Sequence, residues 1–209
     1  MKIAVIGASG SAGSLILGEA LARGYEVVAV VRDKKKLNLA VDVLEKDVFS
    51  LEKNDLKDFD VVVNALGFFS DDTLNLHKKS TEHLLKLLQN EKTRLIFVGG
   101  AGSLYVDNNK TQLKDTQDFP EEFYPLASAM SEALDVIRAE KNVQWTYFSP
   151  AADFDFDGEK TGEYVLGGEE FFLNEAGDSY ISYKDYAKAL VDEIENKKFI
   201  NKRFTAVKK

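Results

Sequence analysis

Short apolar runs alternate with amphipathic stretches along the first three quarters of the chain. The apolar runs are rich in β-branched residues and are bounded by charged residues or glycine, which is typical of buried strands. The predicted strands are Lys2–Ile6, Glu26–Val31, Val41–Leu44, Val61–Asn64, Leu95–Val98 and Trp145–Phe148.

Helical spacing, with apolar residues three and four positions apart, separates several of these strands. The clearest examples are the stripe Ala12, Leu15, Ile16 and Ala20, the stripe His77, Thr81, Leu84, Leu85 and Leu88, and the segment Leu126–Glu140. Strands that alternate with helices imply a parallel sheet covered on both faces. The sequence therefore predicts an α/β fold with a doubly wound parallel sheet.

The pattern changes in the last quarter of the chain. Asp153–Thr161 is acidic and aromatic and is predicted to be a loop. Tyr164–Leu166 and Phe171–Leu173, between which lies the pair Gly167-Gly168, are predicted to form a hairpin. Ser182 and Asp185 have the spacing of a capping box at the start of a last helix.

A final strand is predicted at Phe204–Val207. The segment that follows residue 150 is too short to bury a core of its own. We therefore expect one domain over residues 1–209, in which residues 150–182 form part of a small C-terminal lobe on the substrate side.

Three evenly spaced glycines follow the first predicted strand, in the sequence Gly7-Ala8-Ser9-Gly10-Ser11-Ala12-Gly13. This is a variant of the dinucleotide-binding fingerprint. Gly7 would make a tight turn, Gly10 would let the backbone approach a pyrophosphate, and Gly13 would let the helix pack closely. Free N–H groups at the start of the helix would face the anion. The predicted cofactor contacts in this turn are Gly7, Ser9, Gly10, Ser11, Ala12 and Gly13.

Further motifs extend a resemblance over nearly the whole chain. They are Ile6–Gly13, Asp47-Val48-Phe49, Val63–Gly67, Val98–Ser103, Ser149-Pro150-Ala151 and Ile181–Ala187. On these motifs the sequence resembles the atypical short-chain dehydrogenase/reductases, and among them the small NmrA-like NAD(P)H-dependent flavin reductases. The resemblance implies a Rossmann-like fold and a nicotinamide cofactor.

The same resemblance implies roles for residues in three other motifs. The implied cofactor contacts are Asp47 and Val48 beside the adenine, Ala65, Leu66 and Gly67 along the nicotinamide-side ribose, and Pro150 and Ala151 of the Ser149-Pro150-Ala151 motif. For Asp47, a simple helix or turn cap is the alternative.

The residues just past the second strand decide between the two nicotinamide cofactors. An acidic residue there suits the 2′-hydroxyl of NAD, whereas arginine accommodates the 2′-phosphate of NADP. Here Arg32 precedes Asp33, and Lys34–Lys36 add positive charge. A guanidinium suits a phosphate, so we expect NADPH to be preferred over NADH. The alternative is that these charges only solvate a loop.

Candidate residues for the reaction follow the predicted strands. Ser103 would offer a hydroxyl near the nicotinamide after the glycines at 99, 100 and 102. Tyr124 is the candidate proton donor, but the residue four positions on is Ser128 and not the lysine of ordinary short-chain dehydrogenases. The predicted acceptor walls are Phe68, Phe69 and Phe154, with core or loop packing as the alternative for each.

Composition excludes several other kinds of protein. The chain has no cysteine and only two histidines, His77 and His83, so thiolate and histidine-rich metal sites are excluded, and no metal is expected. His77 is interpreted as a partly buried packing residue, and neither histidine is expected to be a ligand or a base. The net charge of −8 argues against binding to nucleic acid or to anionic membranes.

The N-terminal apolar run is interrupted by glycine and serine where a signal peptide would continue. No apolar run reaches the roughly 18 residues of a membrane span. We expect a cytoplasmic protein, as a monomer or homodimer.

Together these features predict an NAD(P)H-dependent reductase that passes hydride to a flat acceptor such as a flavin or quinone. A nucleotide-binding regulator that senses the NADPH/NADP ratio without turnover is the main alternative. A sugar-nucleotide epimerase or dehydratase is disfavoured, because the tail is too short for a full substrate domain.

Overall fold

The computed structural model describes residues Met1 to Lys209. The strands are β1 (Lys2–Ile6), β2 (Glu26–Val31), β3 (Asp42–Glu45), β4 (Val61–Asn64), β5 (Arg94–Val98), β6 (Gln144–Ser149), β7 (Asp153–Asp155), β8 (Tyr164–Gly167), β9 (Tyr180–Ser182) and β10 (Lys202–Lys208). The helices are α1 (Ser11–Ala22), α2 (Lys53–Leu56), α3 (Leu76–Leu87), α4 (Tyr124–Ala139) and α5 (Tyr183–Asn196). None of these helices has the length and apolar character needed to cross a membrane.

Eight of the strands form one sheet in the order β3-β2-β1-β4-β5-β6-β10-β8. Neighbouring strands are parallel except β10 and β8, which are antiparallel. The chain moves outward from β1 to β3 and then crosses back to β4, so its direction of travel reverses between β1 and β4. In such sheets the loops at the reversal leave a crevice at the carboxyl ends of the strands. The predicted α/β fold with a doubly wound parallel sheet is confirmed.

Helices cover both faces of the sheet, as the alternation of side chains along a strand requires. On β1, Ile3 and Val5 are buried in one apolar cluster, which also takes in residues of α1 and α5. Ala4 and Ile6 are buried in a second cluster, with residues of α3 and α4. Strand β1 is thus apolar on both faces. A ligand can therefore reach it only at the loops beyond its ends.

The strands predicted before residue 150 are confirmed to within one residue at each end. The basic segment Lys34–Lys36 forms a short 3-10 helix. These elements are specified by local patterns of apolar residues and glycine. They can therefore be predicted from the sequence.

The predicted hairpin is wrong. Strand β8 pairs with β10, with Val165 opposite Val207. The segment Phe171–Leu173 forms no strand, and the Phe171 N–H donates to the Tyr105 carbonyl at 2.8 Å. The alternating pattern identified a strand at β8, but its partner lies far along the chain, beyond the reach of a local pattern.

The predicted loop Asp153–Thr161 also differs from expectation at its start. Its first three residues form β7, which pairs in parallel with β9 in a separate two-stranded sheet. The remainder of the segment is irregular, as predicted.

Helix α5 begins at the predicted cap, but the capping box is rearranged. The Ser182 hydroxyl accepts a hydrogen bond from the Asp185 N–H at 3.1 Å. The Asp185 carboxylate accepts bonds from the Gly162 N–H at 2.7 Å and from the hydroxyl of Thr161 at 2.8 Å. Asp185 therefore ties the segment before β8 to the start of α5.

Candidate active site

The glycine turn brings the carboxyl ends of β1 and β4 into contact. Gly7 has a φ of +78°, in the left-handed region that favours glycine. A Cβ on Gly7 would lie 2.8 Å from the Ala65 carbonyl oxygen, and a Cβ on Gly13 would lie 2.3 Å from the Gly7 carbonyl oxygen. The geometry therefore accounts for the tight turn at Gly7 and for the close packing of the helix at Gly13.

Helix α1 begins within this turn, and its N-terminus carries no side-chain cap. Gly10 occupies the N-cap position, where it supplies no side-chain cap, and the first turn contains no acidic residue. Ser9, Gly10 and Ser11 are exposed, while Ala12 is half-buried. Uncapped N–H groups and the positive end of the helix dipole favour an anion at this place.

Arg32, the first residue after β2, forms no ion pair. Arg32 is exposed and contacts no carboxylate within salt-bridge distance. The Asp33 carboxylate accepts a bond from the Lys35 N–H at 3.0 Å and so caps the 3-10 helix. Lys34 Nζ lies 3.6 Å from Glu45. One oxygen of the Asp33 carboxylate is therefore engaged, whereas the guanidinium of Arg32 is free.

Asp47 caps a second short turn. Its carboxylate accepts a bond from the Phe49 N–H at 2.9 Å, at the start of the 3-10 helix Val48–Ser50. Val48 is buried beneath this turn. The turn-cap alternative for Asp47 is thus present in the structure, and its other carboxylate oxygen has no bond within the chain.

The loop after β4 is held by two side chains. The Leu66 N–H donates to the Asn64 side-chain oxygen at 3.2 Å. His77 of α3 places Nε2 3.0 Å from the Phe68 carbonyl oxygen. Burial lowers the pKa of His77 below its usual range. The neutral imidazole therefore fixes a loop whose outer residues, Gly67 and Phe69, are exposed.

The glycines after β5 are required by packing. A Cβ on Gly99 would lie 2.2 Å from the ring of Tyr147, and a Cβ on Gly102 would lie 2.7 Å from Ala127 of α4. The Gly100 N–H donates to the Tyr147 hydroxyl at 3.3 Å. Burial raises the pKa of Tyr147 to about 12, so this hydroxyl stays protonated. These glycines let the loop lie against β6 and α4.

Ser103 is buried, and its partner comes from the last strand. Arg203 of β10 donates from Nη1 to the Ser103 carbonyl at 2.6 Å and to the Ser103 hydroxyl at 3.0 Å. Its Nη2 donates to the Glu169 carboxylate at 2.6 Å. Arg138 of α4 bonds to the same carboxylate. No local sequence signal predicts this network, because its members are far apart in the chain.

Tyr124 is the first residue of α4 and is 46 % exposed. Lys114 Nζ lies 5.2 Å from the centre of the Tyr124 ring and 2.7 Å from the Asp115 carboxylate. A cation from another part of the chain therefore lies over the Tyr124 ring, although not four residues after it. Sequence spacing could not reveal it, because Lys114 comes from a different element.

The sequence profile described as NAD(P)H-binding matches residues 7–197. The chain belongs to this NAD(P)H-binding family. The match begins at the first glycine of the turn and includes every predicted cofactor contact. A nicotinamide cofactor follows from the family; the choice between NAD and NADP does not.

Individual members of the family cover this chain almost completely. It is 49 % identical over 210 aligned positions to the uncharacterized protein YwnB of Bacillus subtilis, covering 99 % of this chain and 98 % of YwnB. A Streptococcus pneumoniae structure, of a protein proposed to be an NADH-flavin reductase, is 51 % identical, with a TM-score of 0.97 and full coverage of both chains. A Bacteroides thetaiotaomicron structure, of a proposed epimerase, is 38 % identical, with a TM-score of 0.87, and the match covers 99 % and 96 % of the two chains.

Residues after β6 of this NAD(P)H-binding domain form an aromatic cluster that includes Phe154, one of the predicted acceptor walls. Phe154 stacks on Tyr183 with ring centres 3.7 Å apart and packs against buried Tyr186. Phe156 meets the edge of Tyr183 at 5.6 Å and is 56 % exposed. Phe154 is therefore largely covered, and Phe156 is the ring that faces solvent. Pro150 and Ala151, just after β6, are buried below this cluster's strand.

The other predicted walls differ in exposure. Phe68 is half-buried and meets the His77 ring edge-on, with ring centres 5.2 Å apart. Phe69 is 78 % exposed. Sequence reasoning found the aromatic residues, but it could not tell which rings the fold already covers.

Proposed function

We propose that the protein is an NADPH-dependent reductase that passes hydride to a flavin or a similar flat acceptor such as a quinone. The observation that carries the proposal is the glycine turn at the reversal of the sheet, with the uncapped N-terminus of α1 beside the loop after β4. The similarity to the Streptococcus pneumoniae protein supports a flavin as the acceptor.

Preference for NADPH is supported by the charges at the end of β2. One oxygen of the Asp33 carboxylate, the group that would accept from the 2′-hydroxyl of NADH, already accepts from the Lys35 N–H. The Arg32 guanidinium is exposed and unpaired, and its planar array of donors suits a phosphate. These contacts favour a 2′-phosphate over a hydroxyl at this edge.

The chain's contribution to the reaction is positioning. When bound, NADPH supplies a hydride, and the acceptor takes that hydride together with a proton from solvent. Hydride transfer needs the two rings to lie face to face about 3–3.5 Å apart. Exposed Phe69, Phe156 and Tyr124 would form the walls that hold a flat ring, with residues 150–182 contributing one side. No protein group has to donate the proton, because a conjugated ring spreads the added charge.

Ser103 keeps its proposed place at the reacting face, and one substitution tests it. If the hydroxyl contributes to the reaction, Ser103→Ala lowers kcat/KM for flavin reduction. An unchanged value would assign the hydroxyl to its bond with Arg203 alone.

Steady-state oxidation of NADPH tests the proposed function directly. The acceptor panel is flavin mononucleotide, a soluble quinone, an aldehyde and a ketone, each with NADPH and with NADH. We expect turnover with the flavin or quinone and weak turnover with the carbonyl compounds. Binding of NADPH without turnover of any acceptor would overturn the proposal in favour of a nucleotide-sensing regulator. Conversion of a sugar nucleotide without net NADPH oxidation would favour the epimerase chemistry proposed for the Bacteroides relative.

A further inference from the structure

The chain's two histidines lie on the same helix and make the same kind of contact. His77 and His83 are both on α3. Nε2 of His77 lies 3.0 Å from the Phe68 carbonyl, and Nε2 of His83 lies 3.1 Å from the Leu51 carbonyl. Since a carbonyl oxygen only accepts, each Nε2 carries the hydrogen and donates it.

The two histidines reach different loops because of their spacing on the helix. Residues six apart on an α-helix point in clearly different directions, at about 100° per residue. His77 therefore reaches the loop after β4, while His83 reaches the turn that follows β3, where its ring lies 6.1 Å from that of Phe49. One helix thus contacts both of these loops.

Both loops carry proposed cofactor contacts. The loop held by His77 contains Ala65, Leu66 and Gly67, on the nicotinamide side. The turn held by His83 contains Asp47 and Val48, on the adenine side, and ends at Leu51. The nucleotide would span these two loops across the crevice.

We propose that His77 and His83 are positioning residues, which hold the nicotinamide-side and adenine-side loops respectively. The proposal rests on the proposed binding of NADPH in the crevice. It replaces the interpretation of His77 as a packing residue, since each histidine side chain makes a directed hydrogen bond to loop backbone.

The contacts of His77 support a positioning role. The imidazole is 8 % exposed and lies closer to the Phe68 carbonyl (3.0 Å) than to the Phe68 nitrogen (3.4 Å). The Phe68 ring meets its edge, so the loop is held by both a polar and an apolar contact. Loss of the imidazole would leave a half-buried carbonyl without its donor and would free the loop to move.

The role of His83 is separable from that of His77. His83 is half-buried, bonds to the Leu51 carbonyl and lies beside the Phe49 ring. A change at His83 is therefore expected to disturb the adenine side of the crevice, whereas a change at His77 disturbs the nicotinamide side.

Calorimetric titration with NADPH and with adenosine 2′,5′-diphosphate, which lacks the nicotinamide half, tests this division. We expect His77→Leu to weaken NADPH binding about tenfold, equivalent to about 1.4 kcal/mol, and to leave the affinity for the diphosphate unchanged. We expect His83→Leu to weaken both ligands by similar factors. His77→Gln and His83→Gln retain an amide N–H near the position of Nε2 and should restore most of each loss.

Leu85→Ala is the matched control, because Leu85 is buried on the same helix and has no polar side chain to offer either loop. It should lower thermal stability without changing either affinity. Hydrogen exchange of residues 65–69 and 47–51 gives a readout that is independent of activity, and each loop should exchange faster only in its own histidine variant.

The outcomes separate this inference from the proposed function. Wild-type protein that binds neither ligand would overturn the proposed function. Wild-type binding with unchanged affinities in both leucine variants would overturn the positioning roles and leave the proposed function intact. Equal losses of affinity for both ligands in His77→Leu, together with the same losses in Leu85→Ala, would also overturn the positioning roles. Lower stability alone would then explain the lost affinity.

Discussion

The proposed nucleotide side and the proposed acceptor side of the crevice are built in different ways. On the nucleotide side, the turn at Gly7–Gly13 and the caps at Asp33 and Asp47 involve residues close together in the chain. On the acceptor side, the contacts join distant residues, such as Arg203 with Ser103 and Tyr180 with Asp155. The turns and caps of the first side are specified by local sequence, while the side-chain contacts of the second exist only once the whole sheet has formed.

The two sides also differ in their surfaces. The glycine turn leaves backbone N–H groups in a fixed arrangement, which suits a phosphate of constant geometry. The acceptor side exposes large rings, among them Phe69, Phe123 and Phe156. A rigid cofactor site beside an adaptable apolar wall is consistent with one cofactor and several flat acceptors, and substitutions on each side should separate these properties.

The largest effect is expected where the acceptor side is anchored. Arg203→Met removes a fully buried guanidinium from Ser103 and Glu169. Loss of one partner of a buried ionic network lowers stability by about 3–5 kcal/mol, and the exposure of Glu169 favours the lower end. Chemical denaturation measures the loss. Folded Arg203→Met should still bind NADPH but should reduce flavin more slowly.

Arg94→Met is the control for this substitution. Arg94 is also buried, pairs with Glu193, and lies at the amino-terminal end of β5, away from the crevice. It should lose comparable stability with unchanged activity per folded molecule. Equal activity losses in the two variants would show that Arg203 has no specific link to the acceptor side.

The next largest effect tests the nucleotide side. Gly13→Ala places a Cβ 2.3 Å from the Gly7 carbonyl, which is backbone and cannot move aside without opening the turn. We expect NADPH affinity to fall about a hundredfold, or about 2.7 kcal/mol. Isothermal titration measures the change.

Gly18→Ala in the same helix provides the comparison. The nearest atom to its Cβ would be Leu39 Cδ1 at 3.8 Å, an ordinary contact. Alanine at this position should raise stability by up to about 1 kcal/mol and leave NADPH affinity unchanged. NADPH affinity that survives in Gly13→Ala would mean that the turn is not the pyrophosphate site.

The same division explains what the sequence could predict. The strands, the glycine turn and the Ser182 cap follow from spacing within a few residues, and the fold class follows from their alternation. The pairing of β8 with β10, the engagement of Asp185 by Thr161 and the approach of Lys114 to Tyr124 each depend on tertiary packing. In the candidate site, residue types were predictable but their partners were not.

Cofactor preference gives a smaller and more selective effect. Arg32→Ala removes an exposed guanidinium that has no partner in the chain. We expect NADPH affinity to fall about tenfold, since a charge-assisted contact to phosphate contributes roughly that much, while NADH affinity stays the same. Parallel titrations with both nucleotides measure the ratio. Asp33→Asn is the control and should not reverse the preference. Equal affinities of wild-type protein for the two nucleotides would contradict a role for Arg32.

On the acceptor side, Phe156→Ala should raise KM for flavin mononucleotide about three- to tenfold. The ring is mostly exposed and is positioned by Tyr183, and stacking on an aromatic ring contributes about 0.5–1.5 kcal/mol. NADPH affinity should not change. The control is Leu173→Ala, which removes another exposed apolar side chain of the last quarter of the chain. A similar change in KM for both variants would show that Phe156 has no special role.

The smallest effect is expected at Tyr124, and it bears directly on the chemistry. Tyr124→Phe keeps the ring that would line the acceptor and removes only the hydroxyl. Since solvent can protonate a reduced flavin, kcat/KM for flavin should stay within about twofold of wild type, whereas a carbonyl acceptor needs a proton delivered to its oxygen. Lys114, 5.2 Å from the ring centre, is the only obvious cation to assist such a donor, and it is already paired with Asp115. Assays of Tyr124→Phe and Lys114→Met with flavin mononucleotide and an aldehyde panel make the comparison. Aldehyde turnover that exceeds flavin turnover, and that disappears in both variants, would show that Tyr124 and Lys114 act as a proton-donating pair and that the acceptor is a carbonyl compound.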